Sequence, residues 1–450
     1  MERAADSRHR FMNYIKKPAP VMALLAIALT LTVGYVYAAG GNPRGQIRNA
    51  ASLATYPSAS PAPSPSPSPS PLASPNPSPF PSQLESAGPA GFRNKLTQAP
   101  PPGSTAGFVT RNGTTLLLNG QPYRFTGVNA YEAATYWGIN AGCGGMLKDQ
   151  DLDTLFGNSL RPGQVVRFWA FQGLATNFAT KQRDWTGIDR VLAAAAQHRV
   201  KVIPALSDQV GTCDDGHWRD VAWYSGGYMN TYESAQNITP ESFWQYMHEF
   251  LSRYRSNPAI AMIELVNEPS PTNPGYVCVN QDTAATALRS FYDTVGSEAK
   301  RVDPNHLFES GQQGVGQCGQ QNQGCSSPQW TSCSTLHYAY VDASPGVDVT
   351  SYHDYEHDGE PIPGYLQESL AQAGMNGKPL IVGEMGMKAH DNLGGCMSLG
   401  SRAGNVAAKL AAQFGAGVQG VLVWDFVPGV PRSTCDYDMT AGDPVLGALR

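Results

Sequence analysis

From Tyr123 to Trp424 the chain alternates short apolar runs with stretches of helical periodicity, and this alternation constrains the fold most. Strands are expected at 123–129, 165–169, 201–206, 261–266, 306–309, 347–352, 379–383 and 420–424. Helical patterns lie between them, such as WTGIDRVLAAAAQHR and SFWQYMHEFLSRYR. In the second, Phe243, Met247, Phe250, Leu251 and Tyr254 recur at helical spacing and form a core-facing stripe. Parallel strands need crossover helices, and repeated β/α steps within about 340 residues favour a closed (β/α)8 TIM barrel over an open sheet. No GxGxxG loop follows the first strand, so a dinucleotide-binding sheet lacks its phosphate cradle. A short β-hairpin precedes the barrel: GFVTR, a turn at Asn112-Gly113, TTLLLN and a second turn at Asn119-Gly120.

The first 105 residues have a different character. Arg8, Arg10, Lys16 and Lys17 precede an apolar run from Val21 to Ala39. That run is long enough to cross a bilayer, and its positive flank predicts an N-in, C-out orientation. Residues 1–40 are read as a signal peptide or an uncleaved signal anchor. Val36-Tyr37-Ala38 offers a cleavage site, while the length of the run favours the anchor. Residues 41–105 contain the repeat PSASPAPSPSPSPSPLASPNPSPFPS. Such a segment cannot bury a core and reads as a disordered, extended spacer. The folded domain then spans 106–450, on the extracellular face, membrane-anchored or secreted. The formal net charge of −5 does not suit a nucleic-acid binder. Eight cysteines fit an exported chain with disulfides. Cys213 and Cys278 follow neighbouring strands three and four, and Cys396 and Cys435 follow seven and eight, so these two bridges are expected. Cys143, Cys318, Cys325 and Cys333 are left unassigned.

Catalytic side chains of such a barrel lie at the C-terminal ends of its strands. Those ends carry Arg167 (VVRFWAF), Asn267 and Glu268 (IELVNEPS), His353 and Tyr355 (TSYHDYE), Glu384 (IVGEMG) and Trp424 (LVWDF). Two carboxyls on separate strands, with a guanidinium and aromatics between them, suit glycoside hydrolysis. One protonates the leaving oxygen, and the other attacks the anomeric carbon or activates water. Arg167 would keep the attacking carboxylate ionised. Strand ends facing across the mouth imply a separation of about 5–5.5 Å, the retaining distance.

Other patterns point to less. His353 and His357 are four apart, a metal spacing only on a helix, whereas this segment reads as a strand end. Cys213-Asp214-Asp215-Gly216 reads as a polar loop rather than a calcium site. No GxSxG elbow is present for a serine hydrolase. Trp137, Trp218, Trp223 and Trp330 fall in loops, where each either lines a glycan cleft or caps the barrel. No metal or cofactor is expected, and the chain is read as a monomer.

From about Phe108 to Phe426 the chain resembles glycoside hydrolase family 5, the cellulase/β-mannanase family of retaining (β/α)8 enzymes. Asn267-Glu268-Pro269 looks like the family's acid/base motif, and Glu384 matches its nucleophile. Arg167, His353, Tyr355 and Trp424 match its other active-site positions. The resemblance implies that Tyr355 hydrogen-bonds the nucleophile, Asn267 meets the sugar 2-hydroxyl and Trp424 stacks beneath the reacting sugar. The opening FVTRNGTTLLLNGQPYRFTGVNAY is similar to the start of many family β-mannanases. It favours an endo-acting enzyme on β-1,4-mannan over one on cellulose or on a surface glycan of the organism itself. Two departures bear on substrate. Strand three ends LSDQVG without the His or Asn-Asn-Trp of some members, and HDGEP follows strand six. The alternative is a non-catalytic carbohydrate-binding barrel.

Overall fold

A computed structural model describes residues 107–144, 148–233, 238–272, 281–314, 336–355, 359–429 and 434–450. The expected membrane segment and Pro/Ser spacer lie outside these residues, as do Cys278, Cys318, Cys325, Cys333, Trp330 and His357. No helix among the described residues is long and apolar enough to cross a membrane.

The chain enters as an antiparallel meander of β1 (Val109–Asn112), β2 (Thr115–Leu118) and β3 (Gln121–Pro122). Its second turn puts Asn119 at φ 54° and Gly120 at φ 76°, conformations that Asn-Gly tolerates and most residues do not. Eight parallel strands follow: β4 (Phe125–Asn129), β5 (Val165–Trp169), β6 (Lys201–Ala205), β7 (Met262–Glu264), β8 (Leu307–Glu309), β9 (Thr350–Asp354), β10 (Leu380–Gly386) and β11 (Gly420–Trp424). Their hydrogen-bonded order runs from β8 through β7, β6, β5, β4, β11 and β10 to β9. A parallel bridge between Glu309 and Val349 joins β8 to the approach of β9 and closes the ring.

Six of the eight expected strands shift at one or both ends, and two of these shifts have identifiable reasons. The strand expected from Tyr123 starts at Phe125, because Tyr123 N–H is already donated to Leu116 O of the meander. The strand expected at 347–352 is observed at 350–354. Asp348 and Val349 both donate their N–H to Phe308 O, which breaks the regular ladder here, while the Asp348 carboxylate accepts from Lys300 Nζ at 2.6 Å and from Phe308 N at 3.1 Å. The long helices match their patterns. In Thr186–His198, Ile188, Val191, Leu192 and Ala195 face inward. Phe243–Tyr254 starts at a Ser242/Gln245 capping box and buries Phe243, Tyr246, Met247, Phe250, Leu251 and Tyr254. Each such side chain contributes about 1.5–3 kcal/mol through burial.

Inside the ring, side chains lie in layers. Phe125, Val165, Ile203, Met262, Ile381 and Leu422 form an apolar floor, and Val109 and Leu116 of the meander plug it from below. Gly107 O accepts from Lys201 Nζ at the start of β6. Near the other end of the chain, Leu449 O accepts from Thr126 Oγ1 and Gln164 Nε2. The charged layer sits above this floor, towards the C-terminal ends of the strands.

Cys396–Cys435 is a disulfide, as expected. The expected Cys213–Cys278 bridge is not: Cys213 pairs with Cys143. The loops after β4 and β6 therefore join across the one after β5. Gly173 in that intervening loop makes this possible, since a Cβ there would lie 2.5 Å from Cys213 O. The Cys396–Cys435 bridge spans a sequence separation of 39, so replacing both cysteines with serine should lower stability by about 2–4 kcal/mol. Urea unfolding of that variant, with non-reducing peptide mapping of the parent, checks the value and both pairings.

Candidate active site

The site grows out of one buried cation. Arg167, fully buried on β5, directs all five guanidinium N–H groups at acceptors. Nε and Nη2 bind Glu264 of β7 at 2.5 and 2.7 Å. Nη1 reaches Asn129 Oδ1 at 2.9 Å and Glu384 Oε1 at 2.8 Å, and Nη2 reaches Asn267 Oδ1 at 2.6 Å. A charge this deep is tolerable only with such pairing. Burial works against the guanidinium charge, but Glu264 and Glu384 outweigh it and raise the Arg167 pKa.

Glu384 owes its aim to a break in regular pairing. The register of β10 against both neighbours shifts just after Val382, and such an irregularity redirects a side chain. The preceding residue is Gly383, where a Cβ would lie 2.8 Å from Ser351 Oγ. Glu384 Oε2 accepts from the Tyr355 hydroxyl at 2.7 Å. Burial raises the Glu384 carboxyl above its ordinary value, and Glu268 raises it further, against the pull of His353 and Arg167.

Glu268 lies beyond β7 with its backbone at φ 50°. For a residue with a Cβ, that conformation costs on the order of 1–3 kcal/mol. Its side chain is 20% exposed, against 5% for Glu384, so it stands nearer solvent. His353 Nδ1 lies 2.9 Å from Glu268 Oε1 and 3.6 Å from Glu384 Oε2. Burial disfavours the imidazolium, but Glu384 and Glu268 overcome this and raise the His353 pKa. Trp424 closes one wall, stacked on Tyr131 at 5.5 Å.

Six of the residues singled out from sequence thus converge through direct contacts, Arg167, Asn267, Glu268, His353, Tyr355 and Glu384, and Trp424 packs beside Trp169, over which Arg167 lies. Donor atoms of Glu268, His353 and Glu384 lie within 4.8 Å of one another, the one such group among the described residues that could hold a metal ion. The surroundings disfavour that use. Arg167 and Tyr355 already engage both Glu384 oxygens, and a guanidinium at 2.8 Å repels a second cation.

Loop residues sort more plainly. Trp137 is 48% exposed, whereas Trp223 is buried against Tyr224, Phe243 and Phe291. Trp218 donates to Thr272 O at 2.7 Å. Asp214 and Asp215 both pair with Arg219.

A family model described as cellulase (glycosyl hydrolase family 5) matches residues 165–418, more than half of the chain. The chain belongs to glycosyl hydrolase family 5. It is a glycosidase. Mannan endo-1,4-beta-mannosidase 1 of Oryza sativa subsp. japonica is 26% identical over 383 residues, covering 76% of this chain and 83% of its own. Probable mannan endo-1,4-beta-mannosidase F of Aspergillus flavus is 25% identical over 315 residues, and the match spans 61% of that relative's length. The solved endo-1,4-beta-mannanase of Rhizomucor miehei superposes with a TM-score of 0.56 at 19% identity, over 76% of this chain and 97% of that one. At that identity the likeness shows the (β/α)8 fold.

Two residues that bind Arg167 were missing from the sequence reading: Asn129 and Glu264. Glu264 left a usable signal. A charge inside the apolar run AIAMIELV demands a buried partner, and the arginine within VVRFW is the matching anomaly.

Proposed function

We propose that this glycosidase is a retaining endo-β-1,4-mannanase, with Glu384 as nucleophile and Glu268 as acid/base. The observation that carries the reading is the spacing of the two carboxyls. One oxygen of each lies within 4.8 Å of the other, which supports the close pair of a double displacement, about 5–5.5 Å, over the wider gap that an inverting water needs. Glu384 sits between Arg167 and Tyr355, whose hydrogen bonds favour its anion and hold it for attack. Glu268, nearer solvent and touching His353, protonates the leaving oxygen. In the second step it takes a proton from the water that cleaves the glycosyl-enzyme. Asn267 turns its carbonyl oxygen to Arg167, leaving the amide N–H groups to donate to a sugar hydroxyl. Trp424 offers a flat face to the ring of that sugar.

Mannan is favoured because both curated relatives above carry that activity in their names. The family model's description as a cellulase keeps β-1,4-glucan as the second reading. Soluble β-mannan and carboxymethyl-cellulose, each with product sizing, separate the two. Fast release of mannobiose and longer oligomers is the expected outcome, and hydrolysis of the glucan alone would overturn the mannan assignment.

The two disulfides fit an oxidising compartment, and with the basic-then-apolar start of the chain they support placement outside the cytoplasm. Residues upstream of Ala106 act as a tether in this reading. A chain beginning at Ala106 is expected to fold and to match the full chain in kcat/KM on soluble mannan; an inactive or insoluble product would count against it.

The acidic limb of the pH–rate profile follows from Glu384. The nucleophile must be ionised, and burial raises its pKa. The acidic limb of kcat/KM should therefore lie above the ordinary glutamate value of about 4.3. Glu268 carries its proton across this limb, so Glu268→Gln, assayed on an aryl glycoside with a good leaving group, should leave the limb in place while removing the basic one. A displaced acidic limb would show that Glu268 is ionised where Glu384 titrates, against its role as the acid.

A further inference from the structure

Glu309 plays no part in the chemistry above, yet it is a buried carboxyl at the end of β8. Its Oε2 accepts from Gly311 N–H at 2.7 Å. Its Oε1 meets no N–H or O–H donor, and its cross-strand partner in the β7–β8 ladder is Glu264, whose carboxyl it faces. Glu264 is already committed to Arg167 through two hydrogen bonds. Two carboxyls in contact inside a barrel cannot both be ionised, so the shared contact requires one proton, and Glu309 is the partner without a cation of its own. Burial, and then the charge of Glu264, push Glu309 well above the usual carboxylate range. Arg167 also faces this pair, as does Tyr292, whose hydroxyl donates to Ser310 O at 2.5 Å.

The other side of Glu309 leads to Glu268. Gly311 has φ +63°, and a Cβ there would lie 2.2 Å from Val266 O and 3.0 Å from Glu264 Oε1. The backbone at this point is therefore closely confined. Gly311 O accepts from Glu268 N–H at 2.9 Å, and Glu268 is the residue held in the left-handed conformation. We propose that Glu309 is a positioning residue: its acid proton is given to Glu264, its other oxygen holds Gly311, and Gly311 in turn fixes the backbone that aims Glu268.

This rests on Glu268 being the acid/base, so Glu268→Gln is measured alongside. Three enzymes, wild type, Glu309→Met and Glu309→Gln, are assayed on soluble β-mannan and on 2,4-dinitrophenyl β-mannobioside. The second substrate needs little protonation of its leaving group. Methionine keeps the length but removes both hydrogen bonds. It should lower kcat/KM on mannan by about tenfold to a hundredfold, the scale of a misaimed group, and by less than about threefold on the aryl substrate. Glutamine can donate to Glu264 and accept from Gly311, so it should restore most of the mannan activity with both pH limbs within about half a unit of wild type.

Equal losses on the two substrates in Glu309→Met, or no loss on either, overturn the proposal. So does a larger shift of the limbs in Glu309→Gln, since that would mean Glu309 is normally an anion. If Glu309→Met does not fold, Glu309→Gln alone decides: wild-type limbs with retained activity support the proposal, and anything else overturns it. The failure of the underlying reading shows separately, as a Glu268→Gln variant that loses equally on both substrates.

Discussion

Replacing Glu384 with alanine is expected to abolish polysaccharide cleavage, by roughly four to six orders of magnitude, the scale seen when a covalent nucleophile is lost. Glu268→Ala should lose about 10²–10⁴-fold on polysaccharide, the range for a positioned acid/base, and much less on substrates with good leaving groups. Azide separates the two further. In Glu384→Ala it can occupy the vacated face and give an α-configured glycosyl azide. In Glu268→Ala it intercepts the glycosyl-enzyme and gives the β anomer. Proton NMR of the adducts reads the configuration directly. If both variants gave the same anomer, or if either kept full activity on polysaccharide, the assigned roles would be wrong.

The second large effect is expected at Arg167. Arg167→Met leaves Glu264 and Glu384 in the barrel without their cation, and breaking a buried pair in this way costs about 3–5 kcal/mol. Its pH dependence is diagnostic. In the parent, burial pushes Glu264 up but Arg167 outweighs it, so the folded pKa is lowered. That group stabilises the parent above the ordinary carboxylate value, and the contribution is lost as pH falls through the folded value. Without the guanidinium the folded pKa rises instead, so the deficit of the variant should grow as pH increases above about 4.3. Urea unfolding at pH 5 and pH 8 measures this. Arg167→Lys should recover little, because one ammonium cannot serve Glu264, Asn129, Asn267 and Glu384 together. A deficit under about 1 kcal/mol at pH 8 would show that the network contributes no more than a surface pair.

The fold was legible because its signal is repeated: each apolar run is bounded by a helix pattern, and an error at one boundary leaves the others in place. The seven strand-end residues could be grouped for a related reason. Barrel topology sends the ends of all eight strands to one face, so Arg167 and Glu384, 217 positions apart, could be grouped before any distance was known. Other features depend on details with no such regularity. Asn129 looks like any strand-terminal polar residue; its role comes from Arg167 and from Gly383 O, 3.0 Å from its amide nitrogen. Glu309 resembles a solvated residue until its burial is known. The Cys213 pairing failed because adjacency of strands was taken to mean adjacency of loops, whereas a loop can pass over its neighbour where a glycine leaves space.

The plug under the barrel floor bears on how such an enzyme can be attached to anything else. Gly107 is held at the start of β6 and Leu449 beside the starts of β4 and β5, so both ends of the folded body leave from its sealed pole. Immobilisation on a bead, or fusion to another module, can use either end without obstructing the pole where Glu268 and Glu384 lie. A coupling chemistry that instead used exposed side chains on the loops after the strands would turn the working face towards the support. Enzyme linked through an end should then outperform the same amount linked through those loops, by a margin that widens with the length of the glycan.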